Sequence, residues 1–85
     1  MTTKEQEIKN LIEKNYKSVK VKFLELSDSD SYLTIHTDFA PYPTPYIATR
    51  ILNKYPEIRM VHFTGGWTEI VYTRETLKWG GYKVK

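Results

Sequence analysis

Residues 58–74 place two glycines between runs suited to a pleated sheet, Ile-Arg-Met-Val-His-Phe-Thr before them and Trp-Thr-Glu-Ile-Val-Tyr-Thr-Arg after. A type I′ turn needs positive φ at both central residues, and glycine adopts it without steric cost. The flanking Val, Ile, Phe, Tyr, Trp and Thr favour strands. A turn at Gly65-Gly66 sets Thr64 opposite Trp67, His62 opposite Glu69, Val61 opposite Ile70, Met60 opposite Val71 and Arg59 opposite Tyr72. One face then carries Val61, Phe63, Ile70 and Tyr72 and is assigned to the core. The other carries Met60, His62, Thr64, Trp67, Glu69 and Val71. A slip of one residue would exchange the faces.

The rest of the chain supplies the cover for that hairpin. Thr2 with Glu5, and Thr3 with Gln6, fit capping boxes, and Ile8, Leu11, Ile12 and Tyr16 form one helical stripe ending near Asn15. Val19-Lys-Val-Lys-Phe alternates as a strand, and the alternation breaks at Phe23-Leu24, at a bulge or at the switch into a turn. Ser27-Asp-Ser-Asp-Ser is a polar turn, and Tyr32 to Thr37 alternates again. With the loop over 26–30, Val19, Val21, Phe23, Leu33 and Ile35 share the core face. Lys20, Lys22, Leu24, Tyr32, Thr34 and His36 share the other.

Pro41, Pro43 and Pro45 alternate with Tyr42, Thr44 and Tyr46 in a stiff connector. Thr44 is expected to cap a second helix with Pro45 at its first position. Ile47, Ala48, Ile51, Leu52 and Tyr55 line that helix, and Pro56 stops it. Residues 74–85 hold four basic groups, one acid, Trp79, Tyr82 and a second Gly-Gly. They are expected to form a flexible or strand-adding basic aromatic tail.

The expectation is an α+β two-layer sandwich in α-β-β-α-β-β order, a single domain over residues 1–85. Two helices pack on one face of a four-stranded, mainly antiparallel sheet whose other face stays wet. An 85-residue chain has a small core and a thin stability margin. It has no cysteine, so disulfides and thiolate metal sites are excluded. No membrane-length apolar run or signal peptide is visible, and a cytoplasmic location is expected.

A net charge of +3 permits an anionic partner without demanding one, while 14% aromatic content, with seven tyrosines, favours a binding surface. The first functional expectation is therefore a small non-catalytic regulatory protein that binds RNA or single-stranded nucleic acid. Lys20, Lys22, Arg74, Lys78, Lys83 and Lys85 would meet phosphates, while Tyr32, Trp67 and Trp79 stack on bases, with His36 and His62 on the same face. The second is a protein-interaction module or inhibitor, of a phage- or plasmid-type accessory kind, that blocks a larger enzyme. The third is a two-histidine ribonuclease built on His36 and His62, with Glu69 orienting His62. Against it stands the ordinary reading of a cross-strand His–Glu surface contact. His36, Asp38, His62 and Glu69 are too sparse for a metal site, and Gly65-Gly66 lacks the lysine of a phosphate loop. No cofactor or metal is expected, nor a membrane partner; a homodimer through a free sheet edge is plausible.

Overall fold

A computed structural model describes residues 3–37, 43–65 and 68–85. Seven elements follow in order: α1 (Thr3–Asn15), β1 (Val21–Leu26), β2 (Tyr32–Thr37), α2 (Thr44–Lys54), β3 (Met60–Gly65), β4 (Thr68–Thr73) and α3 (Arg74–Trp79). The strands form one sheet in the order β1-β2-β3-β4. The two hairpins are antiparallel, but β2 and β3 run parallel at the centre. The sheet is thus mixed. The reason is the connection: α2 carries the chain from the end of β2 back to the start of β3, as a parallel pair requires.

All three helices lie on one face. Ile8 and Ile12 of α1, Ile47, Ala48, Ile51 and Leu52 of α2, and Leu77 of α3 are buried with Val21, Leu24, Leu33, Ile35, Val61 and Phe63 in a single core. Phe63 meets Tyr72 edge-on at 5.8 Å between centroids, a favoured aromatic geometry.

Three expected registers change. Gly65 is not part of the turn expected at Gly65-Gly66 but is still paired, with Thr68. Glu69 therefore sits opposite Thr64 and Val71 opposite His62. The displacement is two residues, so the assignment of faces survives. The first loop lies one residue later than expected, since Leu26 pairs with Leu33. A bulge between Val21 and Phe23 turns Phe23 onto the open face at 44% exposure and buries Leu24. The expected places of these two side chains are exchanged.

Thr44 does not cap α2; Pro43 holds that position without a side-chain bond. The Thr44 hydroxyl is buried and lies 2.6 Å from the Tyr72 hydroxyl. Nor are residues 74–85 a loose tail. Thr73 and Thr76 form a reciprocal capping box that opens α3, and Leu77 anchors it in the core. Beyond it, Asn53 Nδ2 donates to the Lys83 carbonyl at 3.0 Å and Asn53 Oδ1 accepts from the Lys85 amide at 2.8 Å. One side chain thereby holds both ends of a three-residue stretch against α2.

Candidate functional site

The open face of the sheet reads across in rows. Phe23, His36, Thr64 and Glu69 form one; Glu25, Thr34, His62 and Val71 the next; Tyr32, Met60 and Thr73 the last. His36 stacks on Phe23 with centroids 3.9 Å apart and planes 14° from parallel. Its Nε2 lies 3.4 Å from Glu25 Oε2, and His62 Nε2 lies 3.4 Å from Glu69 Oε1. The two histidines do share a face, and the His62–Glu69 contact exists, as a diagonal pair and not a directly opposed one.

This face is not basic. Each histidine is matched by a carboxylate, and the interior rows hold no lysine or arginine. Lys20 and Lys22 stand at the β1 edge, where they line a shallow concavity with Ser18 and Thr37. Tyr32 is half exposed. Trp67, Asp38 and Tyr42 lie outside the described residues. Among the described residues no group of three or more His, Cys, Asp or Glu side chains is placed to hold a metal ion. None of the helices described is long and apolar enough to cross a membrane.

Arg74 is committed to the fold. Its guanidinium donates to the carbonyls of Ile58 (2.6 Å), Leu52 (2.7 Å), Tyr55 (3.3 Å) and Pro56 (3.4 Å). These include carbonyls at the C-terminal end of α2, which lack helical donors and carry the negative end of the helix dipole. Arg74 thus satisfies backbone acceptors and is withdrawn from the phosphate-contacting set.

The basic and aromatic groups converge instead on the helical side. A groove of about 520 Å³ is lined by Tyr16 beyond the end of α1, by Tyr46, Thr49, Arg50, Asn53 and Lys54 of α2, and by Tyr82. A second concavity shares Asn53 and Tyr82 and adds Lys83, Val84 and Lys85. Among the described residues no Asp or Glu side chain lines either. Arg50 lies 6.0 Å from the centroid of the Tyr16 ring, and Tyr46 meets Tyr82 edge-on at 5.5 Å. Among the described residues no carboxylate pairs with Arg50, Lys54, Lys83 or Lys85. Lys78 and Trp79, the latter 82% exposed, project from α3 just before this segment.

Of the expected contacts, Lys83 and Lys85 therefore line the concavity that adjoins the groove, and Lys20, Lys22, Tyr32, His36 and His62 belong to the sheet side. Tyr16, Arg50 and Lys54 were not anticipated; Tyr82 was expected only as part of the basic aromatic tail. Their signal was present: Tyr46, Arg50, Asn53 and Lys54 fall at helical spacing, a polar stripe behind the apolar one.

Comparison of the chain with protein-family models, curated proteins and solved structures finds no significant match.

Proposed function

We propose that this chain is a small binding domain for single-stranded nucleic acid, without chemistry of its own, and that the helical-side groove is its contact. The observation that carries this reading is the lining of the groove and of the concavity adjoining it: Arg50, Lys54, Lys83 and Lys85 together with Tyr16, Tyr46 and Tyr82, and no acidic side chain among the described residues. Cations attract a phosphate backbone and release its counterions, while tyrosine rings offer sequence-tolerant stacking surfaces. The groove is open to solvent and lies along α2, which suits a strand lying across that helix better than an enclosed small molecule.

The test is fluorescence anisotropy of labelled RNA and DNA oligonucleotides over a salt series. Affinity should fall with salt, with a slope of about −0.7 per phosphate contacted. Arg50→Ala combined with Lys54→Ala should weaken binding and reduce that slope by about 1.4. Tyr46→Ala should cost about 1–3 kcal/mol of affinity if a base stacks there. Salt-independent binding, or full affinity in the double variant, would defeat the reading. Gel analysis of the same oligonucleotides after incubation with the wild type checks the two-histidine cleavage reading.

A second reading, a protein-interaction module, is favoured by the open sheet face, where Phe23, Tyr32 and Val71 leave 44%, 50% and 48% of their surfaces uncovered. Phe23→Ser with Tyr32→Ser should abolish capture of a protein partner and leave oligonucleotide binding intact.

A further inference from the structure

The two edges of the sheet are finished differently. On β1, Glu5 Oε2 accepts from the outward Leu26 amide at 2.9 Å and Glu13 Oε2 from the Val21 amide at 3.3 Å. A bulge at Lys22 further spoils that edge. These are devices that keep an edge strand from pairing. On β4 the Thr73 N–H turns away from β3 to Thr76 Oγ1, so by alternation the amides of Thr68, Ile70 and Tyr72 face β3. Those of Glu69, Val71 and Thr73 face outward. Thr73 N–H is taken by Thr76 Oγ1 at 3.0 Å; no side chain among the described residues is recorded as capping the other two.

The sequence Thr-Glu-Ile-Val-Tyr-Thr has no lysine, proline or bulge to blunt it. The side chains at this edge are also under-covered. On the core side Val21 and Leu24 of β1 are buried, whereas Ile70 and Tyr72 of β4 are only partly so.

We propose that β4 pairs antiparallel with β4 of a second copy of this chain, on a two-fold axis through Ile70, to give a continuous eight-stranded sheet. This register sets the outward amide and carbonyl of Glu69 against those of Val71 in the other copy, and forms four hydrogen bonds. It joins the two half-covered Ile70 side chains beneath the sheet. A two-fold at Glu69 would instead oppose two carboxylates, which is unfavourable. One at Val71 would oppose Glu69 to Thr73, whose amide is already used. The axis is perpendicular to the sheet, so both helical layers, with their grooves, lie on the same side. A six-residue edge buries less than a standard interface, so the dimer forms and dissociates with concentration.

The test is sedimentation velocity across a concentration series. The apparent mass should rise from 10.1 kDa toward twice that value. Val71→Pro removes an outward donor and leaves the β3 ladder intact, as an edge strand tolerates; it should raise the half-dimerisation concentration at least about tenfold. The natural chain lacks cysteine, so single cysteines read the register directly. Opposed residues of a non-hydrogen-bonded pair lie about 4.5 Å apart at Cα, within disulfide reach. Ile70→Cys should therefore cross-link under mild oxidation, and Val71→Cys and Tyr72→Cys should not. A monomer at every concentration overturns the proposal. So does undiminished dimerisation of a folded Val71→Pro protein, or faster cross-linking through residue 71 or 72 than through 70. If Val71→Pro fails to fold, the cysteine comparison decides alone.

Discussion

Gly65 shows how a single position constrains the sheet. Its φ is +153°, and a Cβ built there would overlap the backbone carbonyl of Thr37. The C-terminal ends of β2 and β3 approach this closely only because the side chain is a hydrogen. Gly65→Ala should destabilise the domain by about 2 kcal/mol or more, since a backbone clash cannot relax by rotamer change. Gly81 is the control. Its φ is +88° and no described residue lies within 4 Å of a Cβ there, so Gly81→Ala should cost only the local strain of about 1–2 kcal/mol. Urea unfolding of both variants separates steric overlap from conformational strain. Arg74 is a second such position. Arg74→Lys keeps the charge but offers one ammonium to four dispersed carbonyls. A loss of about 1.5–3 kcal/mol is expected in the same measurement, with the groove of α2 and its oligonucleotide affinity preserved in the folded fraction.

At the scale of elements, the bulge in β1 decides which of two adjacent apolar side chains stabilises the fold. Leu24 is buried while Phe23 lies on the open face, stacked on His36. Leu24→Ala should cost about 2–5 kcal/mol, and Phe23→Ser much less, although phenylalanine is the larger residue. Periodicity gave both helical stripes and the faces of β2, β3 and β4, because those patterns depend only on neighbours along the chain. It could not rank Phe23 against Leu24, since both are apolar and the extra residue in the strand is set by the pairing with Thr37. The position of the second turn was hidden for a similar reason. Gly65-Gly66 reads as the turn itself, whereas Gly65 stays in the strand, paired with Thr68 and closely approached by Thr37, which is distant in sequence. α3 was not expected: it rests on the Thr73–Thr76 capping box and on Leu77, but six residues followed by Gly-Gly resemble a terminus more than a helix. The groove was the least legible feature. The groove of Arg50 and Lys54 adjoins the concavity of Lys83 and Lys85 at Asn53, which clasps the C-terminal segment across 30 or more residues.

At the scale of the whole molecule, one lysine connects three separated parts of the chain. Lys4, in the first turn of α1, lies 2.6 Å from Glu57 in the α2–β3 connection and 3.5 Å from Asp30 in the β1–β2 loop. The hydrogen bond and charge of Glu57 hold the Lys4 ammonium above its ordinary value, against a desolvation that works the other way. The hydrogen bond from Lys4 in turn holds the Glu57 carboxyl below its ordinary value. The signs then fix the pH window. Glu57 contributes stability that is present above its unfolded value and is lost as pH falls through its folded one. Lys4 contributes stability that is present below its unfolded value and is lost as pH rises through its folded one. The cluster therefore stabilises across neutral pH and fails at both extremes. The effect is small and salt-sensitive, because all three side chains keep contact with water. Lys4→Met should lower the melting temperature at pH 7 and low salt, with the gap to wild type closing below the carboxylate range and in high salt. A gap that persists in acid would place the contribution of Lys4 in the packing of its methylene chain against α1's neighbours. A gap absent at every pH would mean that α1 and the two connections are held together by the core alone.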